Sequence, residues 1–279
     1  MKPERAVLVL SGGGMKAMAH VGVLRALADI GISPSMICAV SAGAMVGALI
    51  AGGMSYEQIA ATCCALKARD IAVVNRRRLL VRGVRAGSLL KSAPLRRLLV
   101  RILPEQSFER LRVPLRIGVA DMDRGELEVF GAMGRGDWTV AQAVYASMAL
   151  PLYLPPAVQA GRTYADGGVL EVLPLSLVPS DAADLVIAVD VGPSVVASAD
   201  WRHRAPRLVA LHDRTFSIQT AEKRERMLEA WKGNASRPPL VLVRPAVDPA
   251  ATFAFDRTVD FIEAGYRAAH AALAERTTA

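Results

Sequence analysis

The chain has 279 residues, 52% of them hydrophobic and 22% charged, with 34 basic against 26 acidic side chains. That composition excludes a disordered tail and a collagen-like repeat, and a globular chain of this length buries roughly three quarters of its unfolded surface without disulfide or metal staples. The surplus of +8, carried mainly by arginine, favours anionic partners, but no nucleic-acid-binding module accompanies it. Cys38, Cys63 and Cys64 have neither a disulfide framework nor the spacing of a zinc site, so a reducing cytoplasm is expected and no metal.

Ala6 to Leu10 is apolar on both faces and reads as a buried parallel strand. Ser11-Gly12-Gly13-Gly14 is a turn, and Met15 to Ile30 carries helical periodicity. Ile37 to Val40 is predicted as the next strand, and Ala42 to Ala51 as a small-residue helix stopped by Gly52-Gly53. Two strand–turn–helix units in succession predict an α/β protein with a mainly parallel sheet. Gly31 to Tyr56 is uncharged and contains a G-x-x-x-G at Gly43 and Gly47, which by length alone would suit a membrane span. Its alanines, serines and glycine breaks favour a buried strand and a close-packed helix instead.

From Ser55 to Phe108 arginines at 76–78, 82, 85, 96–97 and 101 alternate with leucines. A basic amphipathic segment of this kind suits a rim, a lid or an anionic membrane surface, and equally a solvated face. Strand character returns at Pro114–Ala120 and Leu127–Phe130, helix at Val140–Met148, and loop over the prolines of 151–156. Leu185–Val191 and Leu240–Val243 are predicted strands, with helices at about 216–232 and 256–275. No composition break separates a second domain.

Three sites carry candidate chemistry. Gly12 to Ala17 follows a strand and opens a helix in the pattern G-x-G-x-x-A, a weak dinucleotide fingerprint without the acidic residue that should end the second strand. Ala39-Val40-Ser41-Ala42-Gly43 is a G-x-S-x-G elbow with alanine at its first position, where small neighbours let a serine occupy a strained turn. Parallel neighbouring strands would set the triple glycine beside Ser41, its amides facing a developing oxyanion. For the partner that activates Ser41, two patterns stay open. A histidine from among His20, His203, His212 and His270 would make a triad, in the chain order Ser41, Asp190, His212. Alternatively the carboxylate of Asp166, in Asp166-Gly167-Gly168, reaches the elbow, although Asp-Gly is also a hairpin-turn signal.

Taken in order, the glycine-rich run Ser11 to Leu24, the elbow at Ser41, the stretch Ala146 to Pro156 and Asp166-Gly167-Gly168 resemble the patatin-like phospholipase family over roughly residues 6–192. The resemblance implies a three-layer α/β/α fold, with 55–110 a basic rim or lid and 193–279 a C-terminal extension packed on the same domain. It implies a Ser-Asp dyad: Ser41 attacks an acyl-lipid ester, Asp166 is the general base, and Gly12, Gly13 and Gly14 form the oxyanion hole. Lys16 supports that loop, and no cofactor is required. The expected substrate is phospholipid or lysophospholipid, met at the inner face of a membrane. Ala39 and Ala17 stand where the family usually has glycine, which leaves room for a catalytically weak, lipid- or partner-binding alternative.

Overall fold

A computed structural model describes residues 5–82, 87–196 and 206–278. Its strands are β1 (Ala6–Leu10), β2 (Pro34–Ala39), β3 (Leu115–Asp121), β4 (Glu126–Gly131), β5 (Ala157–Gln159), β6 (Arg162–Asp166), β7 (Leu185–Val189) and β8 (Leu240–Val243). They form one sheet in the order β5-β6-β3-β2-β1-β7-β8, with β4 also paired to β3. The five strands β3, β2, β1, β7 and β8 run parallel, while β4, β5 and β6 pair antiparallel.

Alternation along the central strands divides the core in two. Leu8, Leu10, Ile37, Ala39, Ile187 and Val189 face a large cluster, and Val7, Val9, Cys38, Val186 and Ala188 face a smaller one. The large cluster is covered by α1 (Ala19–Asp29), α2 (Ser41–Ala51), α3 (Tyr56–Cys64), α6 (Ser92–Ile102), α7 (Val140–Ser147) and α9 (Thr258–Thr278). Short helices α4 (Ala68–Ile71) and α5 (Arg76–Arg82) stand between α3 and α6. Leu228 and Trp231 of α8 (Arg207–Lys232), with Leu173, Leu175 and Leu177, cover the opposite face. The result is a three-layer α/β/α architecture, and β8, α8 and α9 are integral to it.

The structure corrects some of the sequence expectations, bears out others and decides the open ones. The helix expected from Met15 starts as a 3-10 turn over Gly14–Met18, because Gly14 takes a φ of +61° and the chain straightens into α1 only at Ala19. The uncharged run 31–56 divides into β2 and α2, and among the described residues no helix is long and apolar enough to cross a membrane. Asp166-Gly167 is not a hairpin turn. The turn joining β5 to β6 is Ala160-Gly161, both with positive φ as a two-residue hairpin demands. The basic amphipathic segment is not one surface either: α6 turns Leu95, Leu98 and Leu99 into the core and stacks Arg96 on Tyr145. Arg85 lies outside the described residues.

Candidate active site

The site is built on one edge of β3. Residues 115–117 of β3 pair with β2, and residues 119–121 of the same edge pair with β6. Two strands meeting end to end there leave Gly118 between them and bring the residue two beyond β2, Ser41, beside the last residue of β6, Asp166. Gly167 permits this, since a Cβ there would come within 2.3 Å of the Gly118 carbonyl oxygen.

Ser41 opens α2 with φ 54°, a left-handed conformation costly for a residue with a Cβ and typical of a strained functional turn. Its surroundings are cleared to allow it. A Cβ on Gly12 would lie 2.9 Å from the Ser41 Cβ, and one on Gly43 would lie 2.5 Å from the Ser11 carbonyl oxygen. Ala39, one position before Val40 at the start of the elbow, takes no positive φ and sits fully buried in β2, its methyl opposite Gly47. That position therefore does not require glycine.

The Ser41 hydroxyl donates to Asp166 Oδ2 at 2.6 Å, and the Gly168 amide donates to Asp166 Oδ1 at 2.8 Å. The carboxyl is almost completely buried, and that burial pushes its pKa up to about 7 against the opposing pull of both hydrogen bonds. A group so placed changes charge close to neutral pH, as a general base should.

One member of the site lies in the stretch 146–156 that carries part of the resemblance, although the sequence assigns it no role. The buried Ser147 hydroxyl, at the end of α7, accepts from the Ser41 amide at 2.8 Å and donates to the Gly118 carbonyl at 2.7 Å. It thereby locks the elbow to the middle of β3. Helix α7 is placed for this by a reciprocal cap between Thr139 and Gln142.

The glycine loop is fastened on several sides. Ser11 donates its amide to Val189, and its hydroxyl accepts from the Val191 amide. The fully buried His20 donates from Nε2 to the Ser11 carbonyl at 2.9 Å, and burial pushes its pKa down to about 4, so the ring is neutral. Lys16 is buried beneath the loop and donates to the Pro249 carbonyl at 3.0 Å. Burial pulls its pKa down to about 8, while Asp190 and Asp248 pull the other way. The expected set of three amide donors narrows here: Gly12 N–H is engaged by the Val172 carbonyl at 2.9 Å. The amides of Gly13 and Gly14 have no acceptor among the described residues, and Gly12 serves by lacking a side chain against Ser41.

Among the described residues the histidine alternative does not assemble. Asp190 is buried and paired with Arg224 at 3.2 Å and Arg244 at 3.1 Å, while His212 lies with its neighbour Asp213 and stacks on Phe216. His270 pairs with Asp29, His20 is buried behind the loop, and His203 lies outside the described residues. The nucleotide alternative fares no better, since the Gly12 and Met15 amides are both occupied and the loop shares its space with the Asp166 carboxyl. Among the described residues no group of three or more His, Cys, Asp or Glu side chains could hold a metal ion.

Ser41, Asp166 and the glycine loop open on a cleft of about 360 Å³, walled largely by apolar side chains including Met15, Met45, Leu150, Leu154, Val172 and Phe216. Tyr153 and Asp213 share a hydrogen bond of 2.5 Å at this cleft, joining the loop after α7 to α8.

The family model described as patatin-like phospholipase matches residues 8–178. The chain belongs to the patatin-like phospholipase family. Within that family it is 31% identical over 212 residues to an uncharacterized NTE family protein of Mycobacterium tuberculosis, covering 73% of this chain and 56% of that protein. It is 32% identical over 187 residues to patatin-like phospholipase domain-containing protein 7 of Rattus norvegicus, covering 66% of this chain and 13% of the relative. The patatin-like chain thus spans little more than half the length of the mycobacterial relative and a small part of the mammalian one. Its fold is similar to that of VipD from Legionella pneumophila, with a TM-score of 0.54 at 15% identity over 99% of this chain and 67% of VipD. It is also similar to ExoU of Pseudomonas aeruginosa in complex with SpcU, with a TM-score of 0.52 at 19% identity over 100% of this chain and 54% of ExoU.

Proposed function

We propose that this patatin-like chain is a serine acyl hydrolase that cleaves ester bonds of phospholipids or lysophospholipids through a Ser41–Asp166 dyad. The observation that carries the reading is the 2.6 Å hydrogen bond from the Ser41 hydroxyl to a buried carboxylate, at the end of an apolar cleft. Ser41 Oγ attacks the ester carbonyl carbon as its proton passes to Asp166 Oδ2. The Gly13 and Gly14 amides donate to the oxyanion; one such donor is worth about 10²–10³ in rate. Collapse of the tetrahedral intermediate expels the alcohol, which takes the proton from Asp166 and leaves Ser41 acylated. Water then attacks the acyl-enzyme, giving its proton to Asp166, and the second collapse returns that proton to Ser41 as the fatty acid leaves. Lys16 and His20 hold the loop, and no step calls for a cofactor.

Family membership and the apolar wall support an acyl-lipid substrate, and the free cysteines suit a reducing cytoplasmic setting. Treatment with a fluorophosphonate followed by peptide mapping tests the reading. The expected result is a stoichiometric adduct on Ser41 that is lost in Asp166→Asn. An unmodified Ser41, with and without lipid vesicles present, would overturn it in favour of a non-catalytic lipid-binding protein.

A further inference from the structure

The four most exposed large apolar side chains stand on segments in or next to the cleft wall. Leu80, Val81, Val196 and Leu208 are each more than three-quarters exposed, and Leu211 and Phe253 are exposed to a lesser degree. The segments that carry Val196, Leu208, Leu211 and Phe253 contribute side chains to the cleft, and α5 follows a residue paired with its wall. Helix α5 runs on from Val74, which pairs with the cleft-lining Leu90, while Val196 and Phe253 are themselves in the lining. In α8, Ala210, Asp213, Arg214 and Ser217 face the cleft at helical spacing, which turns Leu208 and Leu211 onto the outward flank. Arg214 donates to the Val195 carbonyl at 2.6 Å and Arg224 to the Pro193 carbonyl at 2.8 Å, so 193–196 is tied to the same helix.

Charge follows the same distribution. Exposed Arg76 and Arg77 on α5, and Arg207 at the start of α8, make no ion pair with any described carboxylate. No acidic residue lies between Ile71 and Arg82. Apolar side chains interleaved with unpaired arginines, around the entrance of an apolar cleft, match the interface of an anionic bilayer more closely than a folded protein surface. A lipid acyl chain could pass from such a bilayer into the cleft without crossing water. Exposed apolar residues elsewhere, such as Val100 on α6 and Val259 on α9, border no cleft.

We propose that the rim formed by α5, residues 195–196, the first half of α8 and Phe253 is a membrane-docking face that seats the mouth of the cleft on an anionic lipid surface. The proposal rests on the hydrolase reading only for the meaning of the cleft. It is tested on the full chain carrying Ser41→Ala, by co-sedimentation with phosphatidylcholine vesicles with and without phosphatidylglycerol. Binding is expected to need the anionic lipid and to weaken with salt. Leu208→Ser/Leu211→Ser should lower vesicle affinity by about tenfold per leucine, while Val100→Ser/Val259→Ser should leave it unchanged; matched thermal midpoints establish that both variants are folded. Equal binding by the two variants would overturn the proposal. So would a wild-type chain that is oligomeric by light scattering and becomes monomeric in the rim variant, which would assign the face to a second copy. Wild-type turnover of a soluble short-chain ester is measured in parallel. Its absence would count against the hydrolase and leave the vesicle result to judge the face independently.

Discussion

Replacing Asp166 by asparagine should raise stability and abolish activity in the same molecule. Asparagine keeps the shape of the site: its oxygen can still accept from the Gly168 amide, and its amide can donate to Ser41 Oγ. What it removes is the charge. Burial holds the folded Asp166 pKa near 7, against an ordinary value of 3.8. Between those values the unfolded chain has released a proton that the folded chain keeps, so the Asp166 contribution to stability is full below pH 4 and falls as pH rises through 7. A span of about three pH units at about 1.4 kcal/mol each sets a ceiling near 4 kcal/mol. His20, pushed down to about 4, acts in the opposite sense over an overlapping range, so the wild-type curve alone conceals the effect. Subtracting wild type from variant cancels His20. Urea denaturation at a series of pH values should show the Asp166→Asn advantage widening from pH 4 to pH 8 by an amount up to that ceiling. Fluorophosphonate labelling of Ser41 should meanwhile fall by about 10²–10⁴. Parallel stability curves, or labelling that survives the substitution, would refute the reasoning.

Labelling of wild-type Ser41 should climb with pH and level off above about 7, because only ionised Asp166 takes the serine proton; a profile flat from pH 5 to 8 would count against the dyad. Ser147→Ala leaves the Ser41 amide and the Gly118 carbonyl without their shared partner. Chemical denaturation should register a loss of about 1–3 kcal/mol together with slower labelling, and unchanged labelling would show that the elbow holds itself. His20→Phe should flatten the acid-side loss of stability between about pH 6.5 and 4, where the unfolded imidazole gains a proton that the buried ring refuses; an acid limb like that of wild type would rule out this assignment. Gly43→Ala drives a methyl to 2.5 Å from the Ser11 carbonyl oxygen. The expected cost is about 1–3 kcal/mol or more, read as a lower thermal midpoint, and a wild-type midpoint would mean that α2 shifts freely.

Much of the scaffold was legible because its signals are local. The strands β1 and β7 are short two-sided apolar runs, and the glycine loop and elbow each follow a strand and open a helix. Element boundaries were less legible where tertiary contacts set them. Helix α8 begins at Arg207 rather than near 216, since its first half lines a cleft and has no simple apolar stripe. The leucines of α6 suit a membrane surface by sequence pattern alone, but in the fold α6 packs against α7 and the core. Ser147 is one small polar residue in an apolar helix, and its role exists only through Ser41 and Gly118, distant in sequence.

By itself, the sequence determined the α/β class, the parallel pairing of the first units and the small-residue environment that a strained serine requires, because periodicity and steric permissiveness are properties of neighbouring residues. Only the tertiary structure decided which group Ser41 meets. Asp166 lies 125 positions away and arrives because β2 and β6 divide one edge of β3, leaving Asp190 to its arginines. The same long-range packing decided that Gly12 would be held by Val172, and that the first half of α8 would line the cleft. Such outcomes depend on how strands align across the sheet, and local chain preferences do not encode that.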